Sequence, residues 1–187
     1  MFPGDDRASV KGVSMSLEQV QLFVLIFPPI LYAALGLWIR PPWKIIGLSL
    51  VAGIVMGSLN LLGDMLAYHQ GWWHYPFTTA SHAPLTFYLA TALFYGAGIM
   101  GLVGWWVRRR FGMRGGVILL VVFPLWGLLR DFGGSALYNQ AQTMIVWGEG
   151  CVPVMADFLL WGSAGAAGFF TLYGLEKWSA KRPGRND

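Results

Sequence analysis

Five stretches of this chain are each long and apolar enough to cross a lipid bilayer, and nothing else constrains its fold as strongly. A crossing helix needs roughly 20 mostly apolar residues. The stretches run from about Val20 to Ile39, Ile45 to about Gly63, Leu85 to Val107, Val117 to about Leu137, and Val154 to Leu175. Only 12% of the 187 residues are Asp, Glu, Lys or Arg, and a soluble domain usually carries about twice that share. A water-soluble globular protein is therefore excluded. Disorder is excluded as well, because it requires low hydrophobicity and high net charge. The expected fold is all-α: one polytopic integral-membrane domain over 1–187, with a short N-terminal tail (1–16) and a basic C-terminal tail (176–187).

The first stretch does not read as a cleavable signal peptide. Its apolar run is too long, and Arg40-Pro41-Pro42 stands where a small-residue cleavage site belongs. Ser16 and Gln19 form a capping-box pattern at its start, and Pro28-Pro29 predicts a kink that a membrane bundle tolerates.

Charge gives the orientation. Arg40 and Lys44 follow the first stretch, Arg108, Arg109, Arg110 and Arg114 the third, and Lys177, Lys181, Arg182 and Arg185 the fifth. With five alternating crossings these ten of the thirteen basic residues share one side, leaving Arg7, Lys11 and Arg130 opposite. The positive-inside rule then puts the N-terminus outside and the C-terminus in the cytoplasm. This bias fits a bacterial inner membrane. It also accounts for the pI near 9.4 without calling on nucleic acid.

The two outer connections, Asp64–Pro84 and about Asp131–Pro153, are long and hold most of the polar residues, whereas the cytoplasmic ones, Arg40–Lys44 and Arg108–Gly116, are short. Loops of such length are often functional. The two long loops also resemble each other. Leu61-Leu62-Gly63-Asp64 is echoed by Leu128-Leu129-Arg130-Asp131, and a proline that opens a helix follows after 20 residues in one case and 22 in the other. The pattern fits a parallel repeat of the second and third stretches in the fourth and fifth. It also fits chance in a leucine-rich chain.

Asp64 stands where the second stretch meets the outer interface, followed by Tyr68, His69, Trp72, Trp73, His74 and Tyr75. Trp and Tyr at that depth form an ordinary interfacial belt. An acid packed among indole rings, however, has its charge desolvated and becomes a candidate proton donor. Arg130 lies roughly 20 Å along the fourth stretch at 1.5 Å per residue, inside the hydrocarbon, where ionisable groups usually face a partner in the bundle interior. Adjacent helical residues point about 100° apart. Arg130 and Asp131 are thus not expected to satisfy each other fully. Arg130 is expected to find another carboxylate, Asp157 or Glu149, either as a structural ion pair clamping the fourth and fifth helices or as part of a site, unless the helix ends near Leu129 ahead of Gly133-Gly134. Trp147 joins the candidate wall residues.

No metal or other cofactor is implied. His69, His74 and His82 match no single helical face, no histidine falls within a span to ligate haem, and every lysine lies outside the spans, which removes a retinal Schiff base. Cys151 stands without an identifiable base. The glycine-rich stretches Gly96–Gly104 and Gly162–Gly168 read as close helix packing.

The series Asn60, Asp64, Tyr68, Gly71-Trp72-Trp73, Tyr75-Pro76, Pro84 and Phe87-Tyr88 resembles the repeat of the small membrane lycopene cyclase domains and related carotenoid enzymes. In that repeat an acid at a helix end is followed by a Gly-x-Trp-x-aromatic stretch and a proline opening the next helix. It is also similar to fungal membrane-bound terpene cyclases, in which an Asn precedes the acid by four residues, as Asn60 precedes Asp64. The likeness covers about 35 residues, or 70 with the second unit, and Leu85-Thr86 stand where the cyclase pattern has paired carboxylates. The resemblance implies protonation of an alkene or epoxide in an isoprenoid lipid, followed by carbocation quenching. Asp64, Asp131, Arg130 and Asp157 would be the catalytic candidates, and Asn60, Tyr68, His69, Trp72, Trp73, Tyr75, Tyr88, Trp147 and Glu149 the substrate-binding ones. Two other classes stay open: a non-catalytic membrane subunit or assembly factor with membrane-protein partners, and a transporter.

Overall fold

The computed structural model describes residues 17–137 and 145–181. Ser16, Arg7, Lys11, Arg182 and Arg185 lie outside the described residues. Helix α1 spans Leu17–Ile39 and continues through Pro28 and Pro29. It stops at Arg40, whose φ of 52° is left-handed, and Pro41-Pro42 cannot resume it. Helix α2 follows at once, over Trp43–His69. A two-residue strand β1 (Trp73–His74) comes next, then the short helix α3 (Leu85–Ala90), a π-helix (Thr91–Val103) and helix α4 (Gly104–Leu137). Strand β2 (Val146–Trp147) precedes helix α5 (Val152–Ala180).

Among the described residues four helices are long and apolar enough to cross a membrane: Glu18–Ile39, Trp43–His69, Leu85–Phe132 and Val152–Ala180. The third contains both the third and the fourth expected stretch. No loop separates them, contrary to the expected connection Arg108–Gly116. The helix runs through the arginines and is interrupted only at Gly112 (φ 68°, ψ −166°), a left-handed conformation that glycine adopts without Cβ strain. Gly104 and Gly116, on either side of that break, both abut the Phe169 ring, so the chain turns back on itself there. The helix also continues past Gly133-Gly134, which places Arg130 and Asp131 within it and not beyond its end.

Close helix contact is the rule in the centre of the bundle. Hydrogen bonds from i to i+5 set the pitch of a π-helix, so residues five apart share a face. Thr91, Gly96 and Gly101 are buried together on that basis. A Cβ on Gly96 would lie 2.6 Å from the Gly53 Cα, and one on Gly53 only 2.3 Å from the Ala92 carbonyl oxygen. Small residues that let backbones approach drive helix association in lipid, where apolar burial itself gains nothing. The glycine-rich stretches thus pack helices as expected. Below this contact Met56, Met100, Phe123, Trp161 and Phe169 form one core cluster.

The two ends of the bundle differ. At one, Arg108 donates to Glu176, which also accepts from Trp105 Nε1 at 3.2 Å, and Trp38 packs on Trp106. Arg40, Lys44, Arg109, Arg110, Lys177 and Lys181 flank this end, with Trp38, Trp43 and Trp178 exposed in the manner of an interfacial belt. At the other end β1 and β2 pair antiparallel, with Trp73 opposite Trp147.

Candidate functional site

The buried stripe of α2 ascends through Met56, Asn60, Asp64 and Ala67, helical spacings that keep one face turned inward. It delivers Asp64 beneath the β1–β2 pair. There the carboxylate accepts three hydrogen bonds: Trp73 Nε1 donates to Oδ1 at 3.1 Å, Tyr75 Oη to Oδ2 at 2.7 Å, and Tyr88 Oη to Oδ2. The Ala83 backbone N–H donates to the Tyr88 oxygen at 3.0 Å, which directs the tyrosine's own proton toward Asp64. Burial, with the Asp64 carboxylate beside it, holds the Tyr75 phenol well above its ordinary value. Tyr75 is therefore a permanent donor at neutral pH.

A second carboxylate stands across the space. Asp131 on α4 accepts from Arg130 Nε at 2.6 Å and from Trp161 Nε1 at 2.8 Å. The indole of Trp161 lies against Gly127, one helical turn before Asp131, where a Cβ would fall 2.3 Å from the ring. Gly127 thus makes the space that lets α5 bring Trp161 to Asp131. The Arg130 guanidinium also lies over two rings, 4.6 Å from the Trp161 centroid and 5.3 Å from that of Tyr95, a cation–π arrangement. Arg130, expected to need a carboxylate other than its neighbour, pairs with Asp131 itself. The flexible arginine stem spans the 100° offset, and neither Asp157 nor Glu149 is its ion-pair partner.

Asp157, one turn into α5, is 3% exposed and hydrogen-bonded to Asp131. Its Oδ2 is buried with no hydrogen-bond partner. Buried polar atoms in native structures are nearly always satisfied, and among the described residues this oxygen and the Thr86 hydroxyl are the two exceptions.

All four charged candidates, Asp64, Arg130, Asp131 and Asp157, line one cavity of about 440 Å³. Asn60, Trp73, Tyr75, Tyr88 and Trp147 line it too. Four candidates do not. Tyr68 and His69 lie beyond the buried stripe of α2, which extends six residues further than expected, and both are exposed. Trp72 sits in the bend just before β1 and is absent from the cavity lining. Glu149 is exposed in the bend after β2. Of the remaining histidines, His74 is exposed and His82 donates from Nδ1 to the Ala83 carbonyl.

The cavity also contains residues the sequence reading missed. Thr91 follows Tyr88 by three residues, Tyr95 follows Thr91 by four and Trp161 follows Asp157 by four, so projecting each helix from its known member would have found them. Phe23, Phe27 and Pro28 of α1 close another wall. No such signal exists for them, because α1 is apolar all round.

Compared with known proteins, the chain matches no family model, no curated protein and no solved structure. What the site can do is therefore argued from its chemistry. It has a polar floor of three carboxyl groups and one paired guanidinium, walls of aromatic rings, and one oxygen without a partner. Its volume falls within the range of roughly 300–1,000 Å³ typical of small-molecule sites.

Proposed function

We propose that the chain is an integral membrane enzyme that acts by acid–base chemistry on an isoprenoid or a similar apolar lipid held in this cavity. The observation that carries the reading is the convergence of Asp64, Arg130, Asp131 and Asp157, from three helices, on a single aromatic-walled cavity. Charges serving only to clamp helices would be paired at a flat contact, with no enclosed space between them.

The hydrogen bonds distribute the roles. Asp64 receives three donors, so it acts as a fixed carboxylate that orients Tyr75 and Tyr88. Asp131 receives Arg130 and Trp161 and is likewise built as an acceptor. A bond between Asp157 and Asp131 then needs its proton on Asp157. Asp157 is the proton carrier, a role the sequence alone favoured for Asp64. In the forward step the Asp157 O–H bond breaks, its proton joins an alkene carbon through the π pair, and a carbocation and the Asp157 carboxylate remain. Loss of a proton from a neighbouring carbon to that carboxylate restores the acid. The cycle is redox-neutral and needs no co-reactant, and the ring faces of Tyr95 and Trp161 stabilise the cation.

The same reading includes five crossings, with the cavity at the non-cytoplasmic face of a bacterial inner membrane. The 48-residue run Leu85–Phe132 would be about 72 Å long if straight, more than twice the roughly 30 Å hydrocarbon core, and Gly112 supplies the reversal. A parallel repeat is supported by two correspondences. Tyr88, four residues after Pro84, reaches Asp64, and Asp157, four after Pro153, reaches Asp131. Trp73 and Trp147 pair between the two units.

The test is to purify the full chain in mild detergent and analyse extracted lipids by mass spectrometry alongside an ultraviolet–visible spectrum. A stoichiometric isoprenoid, lost in Asp157→Asn and Asp131→Asn, is the expected result. Bulk phospholipid alone, with other polypeptides at fixed ratio, would overturn the reading in favour of a structural subunit.

A further inference from the structure

We infer that the cavity selects its ligands by the sign of their charge, and that its preferred class is a lipophilic monocation such as an alkylammonium. The inference rests on the cavity being the lipid site proposed above, and goes further in specifying what the site favours.

Among the described residues Arg130 is the only cationic side chain lining the cavity, and it is taken up by Asp131 at 2.6 Å. Asp64 has no cation beside it among the described residues; its three partners are neutral hydroxyl and indole donors. Its negative charge is held in place but not cancelled. Asp157 then adds a buried oxygen without a partner on the cavity wall. An ammonium group would satisfy that oxygen. A phosphate or carboxylate would meet a wall that already carries uncompensated negative charge, and an ion buried without a partner is strongly disfavoured.

The walls act in the same direction. Trp73, Tyr75, Tyr88, Tyr95 and Trp161 present rings to the space, and ring faces attract cations, ammonium groups in particular. The protein already uses this attraction, since Arg130 sits over Tyr95 and Trp161. A site complementary to a short-lived carbocation binds a stable cation of similar shape more tightly than its neutral analogue. Charge selectivity is thus what acid–base chemistry on an alkene demands of these walls.

The experiment uses the full chain in zwitterionic nanodiscs, with empty nanodiscs to subtract partitioning. Dodecylammonium, dodecanol and dodecyl phosphate are titrated at neutral pH while intrinsic tryptophan fluorescence is read. The cation is expected to bind at least about fivefold tighter than the alcohol, in keeping with a desolvated cation–π contact, and the phosphate weakest of the three. Asp64→Asn, which removes the uncancelled charge, should narrow the cation-to-alcohol ratio, and Asp64→Glu should keep it. Should Asp64→Asn fail to fold, Tyr95→Leu provides the same readout by removing a ring face. Equal binding of cation and alcohol, or phosphate binding as tightly as either, would overturn the charge selectivity while leaving a co-purified isoprenoid to support the lipid site. Absence of binding by all three, together with no co-purified isoprenoid, would overturn both.

Discussion

The two buried carboxylates of the cavity are held in different ways. Asp64 is surrounded by neutral donors from β1, the following loop and α3, whereas Asp131 is held by a cation on its own helix and an indole from α5. Both are scarcely exposed, at 8% and 9%. Neutral donors fix a carboxylate's position but leave its charge to act across the cavity. A guanidinium cancels the charge, and the pair then presents a local dipole. The comparison teaches that equal burial does not mean equal electrostatics, and that one corner can set the field while the other supplies structure.

Removing a partner from the charged corner should have the largest effect. Asp131→Ala leaves the partly exposed Arg130 without its counter-ion and the Trp161 N–H without its acceptor. The change should destabilise the protein by about 3 kcal/mol, whereas the double change Arg130→Met with Asp131→Leu should cost less. Unfolding of the purified chain in a denaturing detergent series would measure both. A double variant as unstable as the single one would break the contrast between the corners.

At the neutral corner, Tyr88→Phe removes a charge-assisted bond to Asp64 and strands the Ala83 N–H. A loss of about 1.5–3 kcal/mol is expected by the same measurement. If the loss is negligible, Asp64 does not depend on Tyr88.

Gly127→Ala tests the route by which α5 reaches Asp131. The added methyl must displace the Trp161 indole, at a cost of about 1–3 kcal/mol, and should shift tryptophan emission as that indole loses its hydrogen bond. Unchanged emission would show that Trp161 is not held by this contact.

The smallest effect concerns Tyr75. Burial and Asp64 raise its phenol above the ordinary value of about 10, so the folded chain keeps a proton that the unfolded chain releases. The stabilisation is complete below pH 10 and falls as pH rises above it. Tyr75→Phe should therefore flatten the alkaline limb of the stability curve while leaving neutral pH less affected. An identical limb in both proteins would remove Asp64 from the environment of Tyr75.

Much of the architecture was legible from the apolar runs, because a bilayer core requires about 20 apolar residues with their backbone bonded internally. The glycine spacing was legible as packing for a similar reason. Gly112 was less so: a single left-handed residue can reverse a helix without the polar loop that usually signals a turn. At the site, Asp64, Arg130, Asp131 and Asp157 stood out because charge in lipid is costly and therefore rare. Their partners did not.

By itself, then, the sequence determined a helical protein with stretches long and apolar enough to cross a membrane and its charges confined to few places, since hydropathy and charge are local properties of each segment. Only the tertiary structure decided which of those charges meet. Arg130 turned back to Asp131 because a three-carbon stem bridges adjacent positions. Trp161 reached Asp131 because Gly127 left room, and the Asp157 oxygen was left without a partner because α5 sets it on the cavity wall. Each of these depends on the distance between helices, which is fixed by packing of residues far apart in the chain.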